Sequence, residues 1–404
     1  MQEHFVVVGG GQAGLQAIHT ARQQGFEGRI TLVGDEPYPP YQRPPLSKKY
    51  LAGTVPRERL FLKPASFYES RRVELMLGIR VEELDPQNSQ LRLSDGSTIG
   101  FDRLLLATGS RPRKLDVPGA GLTGVHYLRG IADVDAISEA FAAGTRLLIV
   151  GAGYIGLEVA AVARERGLDV TVLEAADRVL GRVVCPQMST FYQSRHRRAG
   201  VEIRLNAAVD AFVGTDRVEA VQIRSGERFA CDLVIAGIGV LPNVELAEGA
   251  GLTCSNGISV DCYARTEDPR ILAAGDCTSH PHPMVRGHVR LESVHNAVEQ
   301  GKAAGFSLLG REQGFIDTPW FWSDQYDLKL QIAGIAQGYD RVVVRGEMDP
   351  TGFAVYYLCA NRLVAVDAVN SPRDFITAKK LIAGEARIPD TVIADVESDL
   401  GRYL

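Results

Sequence analysis

Two glycine patterns, each following a short apolar run, constrain this chain more than any other feature. Phe5-Val6-Val7-Val8 leads into Gly9, Gly11 and Gly14, and Leu147-Leu148-Ile149-Val150 leads into Gly151, Gly153 and Gly156. In a strand-turn-helix unit of this spacing the first glycine permits the tight turn and the second lets backbone approach a pyrophosphate. The third lets helix pack on strand, with the phosphates at the helix N-terminus. Each copy enters an alanine-rich helical stretch, so the chain is expected to hold two dinucleotides.

Bulk properties narrow the class. A chain of 404 residues is long enough for two or three domains. No segment approaches the roughly 20 unbroken apolar residues of a membrane helix, so no transmembrane span is expected. The first strand begins at Phe5, which leaves no room for a secretory signal and points to the cytoplasm. The six cysteines, at 185, 231, 254, 262, 277 and 359, form no C-x-x-C pair and no group with histidines, so reduced thiols and no metal site are expected. A net charge of -5 argues against nucleic-acid binding as the main activity.

The order of elements implies an α/β fold with two Rossmann-like nucleotide-binding domains and a C-terminal α+β domain. The first unit reads as a strand, a helix over Ala13 to Gln24 and a strand over Ile30 to Val33, followed by a proline-rich loop from Pro37 to Pro45. Leu104 to Gly109 is an apolar strand ending in a small-residue turn, and Arg111 to Pro118 a linker. The second unit runs from a helix near Ala132 to Ala142, through Val170 to Leu173, to a strand at Leu233 to Gly237 whose glycine-rich exit resembles that at Ala107 to Gly109. This repetition suggests an internal duplication. Ile271 to Asp276 then reads as a returning strand, Val294 to Phe306 as a helix, and the alternating runs after Gly314 as an antiparallel sheet followed by a helix over Asp374 to Leu381. The expected domains are 1-110 with 237-313, 111-236, and 314-404.

Charges near the strand ends suggest which dinucleotide goes where. Glu174 lies 18 positions after Gly156, where a carboxylate accepts from adenosine ribose hydroxyls and repels a 2′-phosphate; this favours NADH, although Arg178 and Arg182 lie close by. In the first unit Asp35 or Glu36 takes that position, with Asp35 slightly preferred. The first site also acquires Tyr41 to Lys48, in which a stiff proline pair can fix Arg43 near phosphates and Lys48 near an electron-accepting ring. Asp276, after a strand's C-terminal turn, can bind a cofactor's polyol chain.

Taken together, Val8 to Gly14, Arg43 to Lys48, Ala107-Thr108-Gly109, Gly151 to Glu158, Ala274-Gly275-Asp276 and Pro319 to Gln325 resemble the NADH-dependent reductases of [2Fe-2S] ferredoxins. These are flavoproteins of the glutathione-reductase fold that serve bacterial cytochrome P450 and Rieske-type oxygenase systems. Arg43 to Lys48 is the most specific segment. The resemblance implies FAD in the first unit, NADH in the second, and an aromatic segment of the last domain over the flavin, with Trp322 chosen over Trp320 as its contact. It places Lys48 beside the flavin N5, paired with Glu158, an arrangement that favours the electron-rich reduced ring. Arg129, Val294, Tyr154, Ile155 and Gly239 join the cofactor-binding residues, as does Arg182. His295 departs from the group's usual tryptophan or glutamine and reads as a pocket cap.

The implied reaction is hydride transfer from NADH to FAD and two single-electron transfers to a ferredoxin, with no protein nucleophile or general base. Residues 35 to 60 contain no cysteine, which excludes the thiol chemistry of disulfide reductases and of single-cysteine peroxidases. Two rivals share these motifs: a reductase of a small acceptor such as a quinone or monodehydroascorbate, and a redox-regulated binding protein resembling apoptosis-inducing factor. The expected partner is an acidic ferredoxin docking transiently on a monomer, with Arg57, Arg59, Lys63, Arg71 and Arg72 as candidate docking charges. No nucleic acid and no membrane are expected.

Overall fold

The computed structural model describes residues 3–404. The chain divides into two compact units, one of residues 1–42, 57–111 and 241–320, the other of residues 43–56, 112–240 and 321–404.

The first unit is built on a five-stranded sheet in the order Ile271–Ala273, Arg103–Leu106, His4–Val8, Arg29–Gly34, Val73–Leu77. Every pairing is parallel. Phe5, Val6 and Val7 are fully buried, as expected of a strand covered on both faces. Phe5 and Val7 belong to one apolar core and Val6 and Val8 to another, so the alternation of side chains separates the two faces of the sheet. On the Phe5 face, the helix Gln12–Gln23 packs against the helix Val294–Ser307. Gly301 and Gly305 allow the close approach: a Cβ at either would stand 2.6 Å from Ala13 O or Thr20 Cβ.

The second unit repeats this plan. Its parallel sheet runs Glu202–Arg204, Asp169–Leu173, Arg146–Val150, Leu233–Ala236, Val125–Tyr127. In both units the strand that leads into the glycine pattern is central, and the chain winds outward from it in both directions. A ligand crevice is expected at such a switch point, beyond the strands' C-terminal ends.

Each unit also carries a three-stranded antiparallel meander inserted before the strand with the glycine-rich exit. These are Val81–Asp85, Gln90–Leu93 and Thr98–Gly100 in the first, and Val209–Val213, Ala220–Ile223 and Arg228–Ala230 in the second. The second unit also contains an antiparallel sheet in the order Trp320–Gln325, Leu328–Gly334, Arg362–Val369, Phe353–Cys359, Arg341–Arg345. The helix Pro372–Ala383 packs on it.

The expected elements form with shifted ends. The helix expected near Ala132 to Ala142 is Ile131–Ser138. Its start is pinned by Asp133, whose carboxylate accepts from Arg129 N and Gly130 N at 2.9 and 2.8 Å, and its end tightens into turns at Ala140 and Phe141. No helix among the described residues is long and apolar enough to cross a membrane.

Candidate functional site

The glycines of the two patterns have three distinct surroundings, and the surroundings match between copies. Gly9 has φ +116° and a Cβ there would lie 2.1 Å from Ala107 O; Gly151 has φ +101° and its Cβ would lie 2.5 Å from Gly237 O. Neither position accepts a side chain, because the turn is left-handed and the neighbouring strand's exit loop is in contact. The third glycine is closed by its own turn: a Cβ at Gly14 would meet Gly9 O at 2.5 Å, and one at Gly156 would meet Gly151 O at 2.1 Å. Only Gly11 and Gly153 face open space, with nothing within 4 Å of the Cβ position. Each is the N-cap of its helix, Gln12–Gln23 or Tyr154–Glu165, and carries no side-chain cap. Both loops therefore present an open backbone cradle at a helix N-terminus, which fits a pyrophosphate.

In the first unit the exit loops around this cradle are held by polar side chains. Thr108 Oγ1 donates to Asn243 O at 2.7 Å and Asn243 Nδ2 donates to Thr108 O at 2.8 Å, beside Gly109 in the left-handed region. Asp276 accepts from the buried Ser110 Oγ at 2.9 Å. Gln300, fully buried, accepts from Gly275 N at 2.5 Å and ties this loop to the helix that begins at Val294. Glu36 is half-buried and accepts from Tyr41 OH at 2.5 Å, whereas Asp35 is exposed with Arg80 at 3.8 Å. His295 meets Trp320 in a tilted ring contact, 5.7 Å between ring centres. It also shares a corner with Glu299 and Asp317, the three offering ligand atoms within 4.8 Å of one another, a grouping that chain spacing hides. Lys302 already holds Glu299 Oε1 at 2.7 Å.

In the second unit Glu174 reaches back to the glycine loop, where its two carboxylate oxygens accept from Ala152 N at 2.7 Å and Ala176 N at 2.8 Å. Arg182 is exposed and its guanidinium lies against Gly239, at 3.7 Å from the Cβ position. Arg178, by contrast, is committed to the carbonyls of Gly181 and Val184. Ile155 is exposed beside the cradle. Tyr154 turns inward: its ring packs on Phe321 at 4.9 Å, its hydroxyl is buried with no partner among the described residues, and burial pushes its pKa well up. Trp322 continues this aromatic row, 6.4 Å from Phe321.

The segment 43–56 belongs to this unit, and its side chains meet the helix that follows the second glycine pattern. Lys48 Nζ lies 2.6 Å from Glu158 Oε2, with Glu158 only 3% exposed. Arg43 donates to Arg129 O at 2.9 Å, joining two residues 86 positions apart. Three residues to which the sequence motifs assign no role complete the carboxylate's surroundings. Ser47 Oγ donates to Glu158 Oε2 at 2.5 Å, Ser323 Oγ donates to Oε1 at 2.7 Å, and Gln325 Nε2 donates to Ser323 Oγ at 3.1 Å. The signal for Ser47 is its place beside Lys48, while Ser323 and Gln325 lie within the Pro319 to Gln325 motif, share a face of one strand, and take no role of their own from it.

The thiols form no disulfide among the described residues. All six cysteines are free, and Cys277 is fully buried with its Sγ toward the carbonyls of Ala274 and Leu106. Burial raises its pKa, and raises those of Cys231 and Cys254 to about 12 and about 11, so these remain weakly nucleophilic thiols.

Comparison with known proteins agrees with this geometry. Rhodocoxin reductase of Rhodococcus erythropolis is 46% identical over 98% of this chain and 93% of its own length, and putidaredoxin reductase of Pseudomonas putida is 42% identical over 97% and 94%. The putidaredoxin reductase chain in a covalent complex with putidaredoxin superposes with a TM-score of 0.96 at 41% identity, covering 99% of this chain and 98% of that one. Residues 320–404 match the reductase C-terminal domain. Residues 3–301, which hold both glycine cradles, match the family that the whole arrangement points to, and the chain belongs to the pyridine nucleotide-disulphide oxidoreductases.

Proposed function

We propose that this protein is a ferredoxin reductase that passes electrons from NADH through FAD to a [2Fe-2S] ferredoxin serving a cytochrome P450 or Rieske-type oxygenase. The carrying observation is the full-length likeness, in sequence and in fold, to reductases named for rhodocoxin and putidaredoxin. Membership of the family implies FAD and NAD(H) as the two nucleotides. The absence of cysteine from residues 35–60 supports a carrier other than a disulfide as the electron acceptor.

In this reading Gly9, Gly11 and Gly14 hold the FAD pyrophosphate, and Ala107, Thr108, Gly109, Asp276 and Val294 hold the remainder with Arg43, Arg129 and Trp322. Of the two candidate carboxylates for its ribose we favour Glu36, because Tyr41 fixes it while Asp35 turns to solvent beside Arg80. Gly151, Gly153 and Gly156 hold the pyrophosphate of NADH, with Tyr154, Ile155, Arg182 and Gly239 around it and Glu174 at the ribose. Glu174 supports NADH over NADPH: it is anchored to the cradle itself, so a 2′-phosphate there meets a fixed negative charge. Lys48 and Glu158 are assigned to the flavin N5 edge. Bound FAD supplies the change from two-electron to one-electron chemistry. The proposed domains are residues 1-110 with 237-313 for FAD, 111-236 for NADH and 314-404 as the C-terminal domain, with the protein working in the cytoplasm.

The test is the spectrum of the purified protein and its reoxidation. A yellow protein bleached faster by NADH than by NADPH is expected, and a [2Fe-2S] ferredoxin is expected to accelerate reoxidation in stopped flow. If small quinones accelerate it and no ferredoxin does, the acceptor is assigned wrongly; a colourless protein removes the flavin reading altogether.

A further inference from the structure

Glu158 sits at one end of a line of buried side chains whose hydrogen bonds all point the same way. Its carboxylate oxygens can only accept, so Ser323 Oγ must donate to Oε1 at 2.7 Å, and that hydroxyl's single proton is thereby used. Ser323 Oγ in turn accepts from Gln325 Nε2 at 3.1 Å, which leaves the amide oxygen of Gln325 as the acceptor facing His196 Nε2 at 2.9 Å. His196 Nε2 therefore carries the proton and Nδ1 does not, so Nδ1 accepts from Tyr326 OH at 3.2 Å. Ser323, Gln325 and His196 are each no more than 1% exposed. Ser323 and Gln325 are two apart on one strand and so share a face, while His196 comes from the helix Pro186–Arg198. At the outer end Arg195 lies 4.1 Å from the Tyr326 ring centre and pairs with Asp327 at 2.9 Å.

We propose that Tyr326, His196, Gln325 and Ser323 form a one-way hydrogen-bond chain that positions the Glu158 carboxylate and, through it, the Lys48 ammonium for the reductive step. The proposal rests on the assignment of Lys48 to the flavin edge made above. Glu158 has two oxygens with different tasks: Oε2 takes Lys48 Nζ and Ser47 Oγ, and Oε1 takes only Ser323 among the described contacts. Ser323 is therefore the brake on rotation of the carboxylate, and without it the long lysine side chain follows a looser anchor. The neutral, single-tautomer imidazole that the chain requires agrees with the burial of His196, which lowers its pKa to about 4. A buried polar line of this kind costs more to assemble than an apolar core of the same volume, and each of its bonds restricts the orientation of the next member. Tyr326, His196, Gln325 and Ser323 are thus positioning residues.

Two measurements test this. Long-range proton-nitrogen NMR of the histidines, on apoprotein and flavin-loaded protein alike, is expected to show His196 protonated at Nε2 and bare at Nδ1 near neutral pH. The opposite tautomer would overturn the chain's direction. In stopped flow, Ser323→Ala is expected to slow the limiting rate of flavin reduction by roughly 10-fold with the dissociation constant for NADH held within about 2-fold, and Ser323→Thr to restore it. An unchanged rate in Ser323→Ala overturns the proposal, as does a loss that Ser323→Thr fails to repair while both variants bind FAD and melt like the wild type. Lys48→Met separates this from the underlying assignment: if it reduces at the wild-type rate, the placement of Lys48 at the flavin fails, and the tautomer measurement still judges the chain.

Discussion

At the scale of single residues, one buried carboxyl with consequences for stability lies outside every motif. Asp367 is 1% exposed, in the strand Arg362–Val369, and accepts a short hydrogen bond from Tyr357 OH, which itself accepts from Cys185 N at 3.0 Å. Loss of solvent raises its pKa from 3.8 to about 7, and the Tyr357 bond offsets only part of that shift. The nearby hydroxyls of Tyr154 and Tyr192 are buried as well, with no hydrogen-bond partner among the described residues. A carboxyl whose folded pKa exceeds its unfolded value binds its proton more tightly in the folded state. Its contribution to stability is fully present below about pH 4 and is lost as pH rises through about 7, a difference of a few kcal/mol. Asp367→Asn keeps an acceptor for Tyr357 and removes the charge. The Tm of this variant relative to wild type is expected to rise by several °C between about pH 4 and 7 and to level off above. A gap that stays constant with pH would show that Asp367 does not titrate in this range.

At the scale of elements, the contact between the helices Gln12–Gln23 and Val294–Ser307 depends on two glycines that neither turn nor bind. A Cβ at Gly305 would stand 2.6 Å from Thr20 Cβ and 2.9 Å from Ala17 O, both on a packed neighbour. Alanine gains about 1 kcal/mol of helix propensity over glycine, but overpacking at such distances costs about 1 to 3 kcal/mol. Gly305→Ala is therefore expected to lower unfolding stability in urea by up to about 2 kcal/mol. Gly249→Ala, with nothing within 4 Å, should be neutral or slightly stabilising. Equal effects at the two sites would mean that the helices can separate at no cost. The sequence makes neither glycine conspicuous, because their partners come from a helix almost three hundred positions away. What it did reveal were elements with strong local patterns: the apolar runs before Gly9 and Gly151, the glycine spacing, and the long helices. The two meanders escaped because their strands are short and carry charges, as in Val81-Glu82-Glu83-Leu84, so alternation alone does not distinguish them from loop. Likewise Lys48 and Glu158 were legible as a pair from their motifs, while the role of Ser323 and Gln325 within Pro319 to Gln325, and their link to His196, were not, since only the packing of this strand on a distant helix gives them a common purpose.

At the scale of the whole molecule, the duplication raises the question of whether the two cradles do separate work, and their geometry allows each to be closed alone. Gly11 has φ -105° and ψ -169°, and Gly153 has φ -79° and ψ -176°, extended conformations that a β-branched residue adopts readily. With open space at both Cβ positions, valine at either costs the protein little, yet it fills the place where backbone must approach a pyrophosphate. Gly11→Val is accordingly expected to purify folded by circular dichroism but colourless, and to melt at a lower temperature than the flavin-loaded wild type, because a ligand that binds only the folded state no longer stabilises it. Gly153→Val is expected to remain yellow with an unshifted flavin spectrum, and to need at least about 10-fold more NADH for half-maximal bleaching. The two losses should be independent, so the double variant shows both and no third effect. Should Gly153→Val shed flavin while Gly11→Val keeps it, the assignment of the cradles is reversed. Should either variant lose both nucleotides while still folded, the duplicated loops act as one site, and the division of labour between them is wrong.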